Sequence, residues 1–114
     1  ERKPITQPSP ACMQAAIDKR DNSIITSWTA FGSTGNTALS ARRDALKAAW
    51  NLTDRKERAK ATGAAWEAFK KTSRDARKMF NEGRRTAWKQ FYTDRKGCRA
   101  QGDDNSSEGA DSQL

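Results

Sequence analysis

The stretch Leu52-Thr53-Asp54-Arg55-Lys56-Glu57 decides how this chain folds, because it reads as the close of one helix and the start of another. Asp54 carries an oxygen suited to the free N–H groups of a following helix, and Glu57, three residues on, completes a capping box. The two cysteines lie almost equally far from this turn: Cys12 is 42 residues before Asp54 and Cys98 is 44 after it. Two helical arms meeting here bring both thiols to the same open end.

Toward the N-terminus, Met13, Ile17, Ile24, Trp28 and Phe31 step by four, seven, four and three, which is helical spacing. Ser9 followed by Pro10 makes a good start for that helix: a capping hydroxyl, then proline where no N–H is needed. Residues 1–9, with Pro4 and Pro8, read as an extended tail. Gly32-Ser33-Thr34-Gly35-Asn36 is expected to interrupt the first arm, after which Leu39, Leu46 and Trp50 resume the stripe. Toward the C-terminus, Thr62, Trp66, Phe69, Ser73, Ala76, Phe80, Gly83, Ala87, Phe91, Asp94 and Cys98 advance by threes and fours. That spacing predicts one amphipathic helix of roughly 43 residues, about 64 Å long. Beyond Gly97 the composition turns to Asp, Ser, Asn and Gly, so 99–114 reads as a disordered acidic tail.

The fold class is therefore all-α: a long antiparallel helical hairpin over 10–98. Mirroring about residue 55 sets Trp28 and Phe31 near Met79, Phe80 and Gly83, Trp50 near Ala59 and Ala61, and Trp66 with Phe69 near Ala41 and Ala45. Large residues then face small ones. The alternative is a three-helix bundle with unpaired thiols, since up-down-up topology would leave Cys12 and Cys98 at opposite ends, beyond the roughly 7 Å limit on disulfide Cα separation.

Composition supports a thin core. Only 34% of the 114 residues are hydrophobic, and such domains need a staple, very regular helix packing or a homo-oligomer partner. Two cysteines without histidine suit one disulfide better than a metal site, and a disulfide implies an oxidising compartment; two reduced thiols are the other reading. No apolar run is long enough to span a membrane. The chain opens on Glu1-Arg2-Lys3-Pro4, so an exported protein of this sequence is expected to have lost its signal already.

Catalysis finds little purchase. Without histidine the usual agent of proton transfer near neutral pH is missing. The Gly32–Thr37 stretch is glycine-rich but lacks the lysine of a phosphate-binding loop. No catalytic, cofactor or metal-ligating residue is expected, and the chain reads as a non-enzyme.

Charge is the stronger signal. Residues 37–98 hold 17 basic and 7 acidic groups, a net of +10, whereas 1–36 carry +1 and 99–114 carry −3. Lys71, Arg74, Lys78, Arg85 and Lys89 form a stripe at helical spacing, interrupted by Glu82 and extended by Lys96. It sits two residues off the apolar series, about 200° around the helix, with Lys70, Arg77 and Arg84 running beside it. Lys71 to Lys96 spans about 37 Å, close to one duplex DNA turn of ~34 Å. Such a face can neutralise phosphates without reading sequence. Nucleic acid is the leading partner; other polyanions, or a face that merely solvates the helix, are the alternatives. Trp88 and Tyr92 among these cations could stack on bases, but they read better as cover for the core beside Ile24 and Ile25.

Several blocks also carry a resemblance: Ala11-Cys12-Met13-Gln14, Arg42-Arg43-Asp44-Ala45-Leu46-Lys47-Ala48-Ala49-Trp50, Thr53-Asp54, Ala64-Ala65-Trp66, Arg84-Arg85-Thr86-Ala87-Trp88-Lys89-Gln90-Phe91 and Thr93-Asp94-Arg95-Lys96-Gly97-Cys98. Over roughly residues 11–98 the chain resembles a group of short, exported, basic helical proteins of uncultured small-genome (candidate phyla) bacteria. The resemblance implies secretion and a Cys12–Cys98 pair; it carries no activity and no site residues. Members of that group often have proline after the turn aspartate and fewer glycines in the long helix, where this chain has Arg55, Gly63 and Gly83. The expectation is a secreted or cell-surface, disulfide-clamped hairpin that binds polyanions, the alternative being a structural surface or assembly protein.

Overall fold

The computed structural model describes residues 9–99 and 107–114, so the tail expected over 1–9 lies, Ser9 apart, outside the described residues. Helix α1 runs Pro10–Ala49, α2 runs Arg55–Gly97, and a single turn, α3, spans Glu108–Asp111. Among the described residues there is no strand. Helices α1 and α2 are the arms of an antiparallel helical hairpin, clamped by a Cys12–Cys98 disulfide with its Cα atoms 5.8 Å apart. The two-helix connectivity leaves no place for the three-helix bundle.

Local chemistry starts both helices where the sequence put them, at Pro10 and just after Asp54, and ends α1 at Ala49, three residues before Leu52. Ser9 Oγ accepts from the Cys12 N–H at 3.3 Å, and the Ser9 carbonyl accepts from the Met13 N–H at 3.1 Å, with Pro10 leading the helix. After α1, the Asn51 and Leu52 N–H groups bond back to the Ala48 and Ala49 carbonyls, closing the helix in a tighter turn. Asp54 Oδ1 then accepts from the Lys56 N–H at 2.9 Å and opens α2.

The expected interruption of the first arm does not occur. Helix α1 passes through Gly32-Ser33-Thr34-Gly35-Asn36 without a break. Two helical glycines cost about 1 kcal/mol each relative to alanine, but in long helices tertiary packing outweighs propensity. Phe31 and Ala38, on either side of the stretch, both turn inward.

The chain divides into two compact units, Glu1–Ser27 with Asn81–Leu114, and Trp28–Phe80. In the first, Ala16, Ile24, Ala87, Trp88 and Phe91 form a buried cluster with Met13 packed on it. Ile24 thus meets the Trp88 it was paired with, while Ile25 points out. In the second, Phe80, only 2% exposed, takes the edge of Trp28 at 5.3 Å and the tilted ring of Phe31 at 5.7 Å. Alanines 45, 48, 49, 61, 64, 65 and 68 line a shallow groove there with Leu52. The mirror register about residue 55 therefore holds for Trp28, Phe31 and Phe80. It does not bring in Met79 or Trp50, which are 72% and 71% exposed. Each stands directly beside a buried residue, Phe80 or Ala49, and a step of one residue, about 100° around a helix, turns its side chain out to solvent.

Candidate functional site

Each unit carries part of the basic series on α2. In the Trp28–Phe80 unit, Lys70, Lys71, Arg74 and Lys78 are all exposed. Two of them have local acid partners: Lys70 Nζ stands 3.5 Å from Glu67, and Lys71 Nζ donates to Asp75 Oδ2 at 2.9 Å. That hydrogen bond, with the charge of Lys71 and then of Arg74 and Lys78, holds the Asp75 carboxyl below its ordinary value. Arg77 lies with its guanidinium 4.5 Å from the centre of the Phe31 ring, so part of its bonding capacity is spent on the hairpin itself.

In the other unit, Arg85, Lys89 and Lys96 are exposed. Arg84 is not. It is 7% exposed, with Nη1 3.9 Å from the Glu108 carboxylate of α3. The expectation that Arg84 flanks a solvent-facing stripe is thus corrected: C-terminal to Phe80 the row Arg84, Trp88 faces inward, beneath the α3 segment. Trp88 is buried, its ring edge-on to Phe91, so it is core and not a stacking platform. Tyr92 donates from its hydroxyl to Glu108.

The remaining cations, Arg74, Lys78, Arg85, Lys89 and Lys96, form no ion pair among the described residues. They set positive charge at exposed positions along α2, two of them as planar guanidinium groups and three as ammonium groups. Among the described residues no three Cys, Asp or Glu side chains are grouped so as to hold a metal ion, and no helix is long and apolar enough to cross a membrane.

Sequence reasoning missed two features. The first is a set of arginines laid on aromatic rings: Arg20 over Trp88 and Phe91 at 4.5 and 4.3 Å, Arg42 over Trp66 and Phe69 at 4.7 and 4.4 Å, and Arg58 over Trp50 at 4.6 Å. Their signal was available. A Trp-x-x-Phe motif occurs at 28–31, 66–69 and 88–91; the second and third copies each set two rings under one guanidinium of the facing helix, and in the first Arg77 covers Phe31. The second is the C-terminal turn. Residues 99–114 read as disordered, yet Ser107–Leu114 is placed against α2 through Glu108 and Asp111, while 100–106 lie outside the described residues. No hydrophobic period announces that contact, because it is made by two carboxylates.

Comparison with protein-family models, with curated proteins and with solved structures finds no match to this chain.

Proposed function

We propose that this protein works outside the reducing cytoplasm as a non-enzymatic, polyanion-binding helical hairpin, with nucleic acid as its leading ligand. The observation that carries the reading is the part of the α2 stripe that is exposed and forms no ion pair among the described residues: Arg74 and Lys78 in one unit, Arg85, Lys89 and Lys96 in the other. Solubility alone does not require so large an excess of one sign, and a chain of formal charge +8 attracts anions at long range. The Cys12–Cys98 bond supports export, because disulfides of this kind persist in oxidising compartments.

The test is a titration of the intact chain against short duplex DNA, RNA and an anionic polysaccharide at several salt concentrations. Affinity for duplex DNA should fall linearly with log salt at about −0.9 per neutralised phosphate, hence a slope of about −3 to −5. Reversing Arg74, Lys78 and Arg85 to glutamate should weaken binding by orders of magnitude while far-UV circular dichroism stays unchanged. A folded chain that shows no saturable binding to any of the three at physiological salt would favour a structural surface or assembly protein instead.

A further inference from the structure

Three side chains spaced by four along α2 point donors at the same short segment. Trp88 Nε1 donates to Asp111 Oδ2 at 2.6 Å, Tyr92 Oη donates to Glu108 Oε1 at 2.9 Å, and Arg84 Nη1 stands 3.9 Å from Glu108 Oε2. Positions 84, 88 and 92 lie one turn apart on one helix face, so they form a row. Glu108 and Asp111 are themselves one turn apart in α3, and the spacing of the acceptors matches that of the donors.

Two further observations show that the row is built to receive an anion. Arg84 is nine-tenths buried and its Nε has no hydrogen-bond partner among the described residues. A guanidinium held there without a counter-charge would be strongly destabilising, whereas an apolar side chain would not. The indole N–H of buried Trp88 likewise needs an acceptor, and the one it has comes from α3, not from α1. Arg95, over the Tyr92 ring at 5.0 Å, adds a second positive charge at the end of the row.

We propose that Arg84, Trp88 and Tyr92 form a recognition site for an acidic peptide with two carboxylates one helical turn apart, and that Glu108 and Asp111 fill it in cis as an intramolecular latch. Only residues 98–107 separate the end of α2 at Gly97 from Glu108, and a tether of that length sets an effective concentration of about millimolar, so modest intrinsic affinity keeps the latch closed. One consequence rests on the polyanion reading above: the closed latch lays two negative charges along the part of α2 that carries Arg85 and Lys89, and a polyanion must compete with it.

The test uses the full chain with Glu108→Ala and Asp111→Ala, and as a charge-matched control Asp103→Ala and Asp104→Ala. In a ¹⁵N correlation spectrum the Trp88 indole N–H should shift upfield in the first variant and not in the second, with the Trp28, Trp50 and Trp66 signals unmoved in both. Adding the free peptide Ser-Glu-Gly-Ala-Asp-Ser-Gln-Leu to the first variant should return the Trp88 signal saturably, and a peptide with both acids replaced by alanine should not. An unmoved Trp88 signal, or a peptide without effect, overturns the site. Duplex DNA binding is the separate arm: the first variant should bind several-fold more tightly than the control. Equal tightening by both, with Trp88 responding as above, removes the gating role and keeps the site. Trp88 responding while no variant binds DNA removes the polyanion reading and leaves the peptide site standing.

Discussion

Ser27 lies so close across from Gly83 that a methyl group on Gly83 would meet Ser27 Oγ at 2.5 Å and Ser27 Cβ at 3.3 Å. Gly83 is therefore kept for space, although a helical glycine costs about 1 kcal/mol relative to alanine. Gly63, in the same helix, has nothing within 4 Å of the corresponding position. The two glycines should respond oppositely. Gly63→Ala should gain about 0.5–1 kcal/mol, whereas Gly83→Ala should lose about 1 kcal/mol net, because overpacking of 1–3 kcal/mol exceeds the propensity gain. Urea unfolding of both variants measures this. Equal stabilisation would mean Ser27 moves aside freely.

Phe80 and Trp28 touch, yet they should differ as alanine variants. Phe80 is fully enclosed by Trp28, Phe31 and the helices, while Trp28 keeps 46% of its surface in water. Phe80→Ala should cost about 3–5 kcal/mol and Trp28→Ala about half as much, since a partly exposed ring forfeits less burial. If denaturant melts gave equal losses, the exposed edge of Trp28 would have to be covered in solution.

That contrast shows how far the sequence carried. Helix ends were legible because Ser9-Pro10 and Asp54 act locally, and the pairing of Trp28 with Phe80 was legible because a turn at residues 50–54 leaves one register for Cys12 and Cys98. What failed depended on tertiary competition: Gly32–Asn36 stayed helical because its neighbours pack inward, and Arg84 turned inward because Glu108 meets it there. Charge periodicity alone cannot separate a solvated arginine from one under an acidic segment.

Arg42 and Trp66 should be energetically coupled. The guanidinium lies 4.7 Å from the Trp66 ring and 4.4 Å from that of Phe69, a geometry that its flat, weakly hydrated surface favours over an ammonium. A double-mutant cycle of Arg42→Ala with Trp66→Leu should give a coupling of about 0.5–1 kcal/mol, as for cation–π pairs at exposed sites. Arg42→Lys should recover only part of it. Strict additivity would show the stacking contributes nothing beyond packing.

Asp75 offers a test by titration. Its carboxyl is held below the ordinary carboxylate value chiefly by the hydrogen bond from Lys71, and the group is solvent-exposed. With the folded value lower than the unfolded one, the pair's small contribution to stability is present above the unfolded value and lost as pH falls through the folded one. Lys71→Ala should move the Asp75 carboxyl resonance midpoint upward, toward the ordinary value, and raised salt should do the same in part. A midpoint indifferent to Lys71 would assign the shift to the wider positive field of α2.

The disulfide should dominate the stability of the Glu1–Ser27 and Asn81–Leu114 unit. Cys12 and Cys98 are separated by 86 residues, and closing a loop of that length restricts the unfolded chain by about 4–5 kcal/mol in the entropy model. The buried cluster that the bond ties together is small: three large side chains, Ile24, Trp88 and Phe91, with two alanines. Clusters of that size stabilise little beyond the conformational entropy they cost. Trp28–Phe80, by contrast, contains the turn at residues 50–54, so its helices are joined by the backbone itself. Reduction, or Cys12→Ser with Cys98→Ser, should therefore raise amide exchange first over residues 13–27 and 81–97, at a lower denaturant concentration than over 28–80. It should also free the Trp88 indole signal. Uniform loss of protection along both helices would mean the chain unfolds as one cooperative body and that the bond stabilises all of it alike.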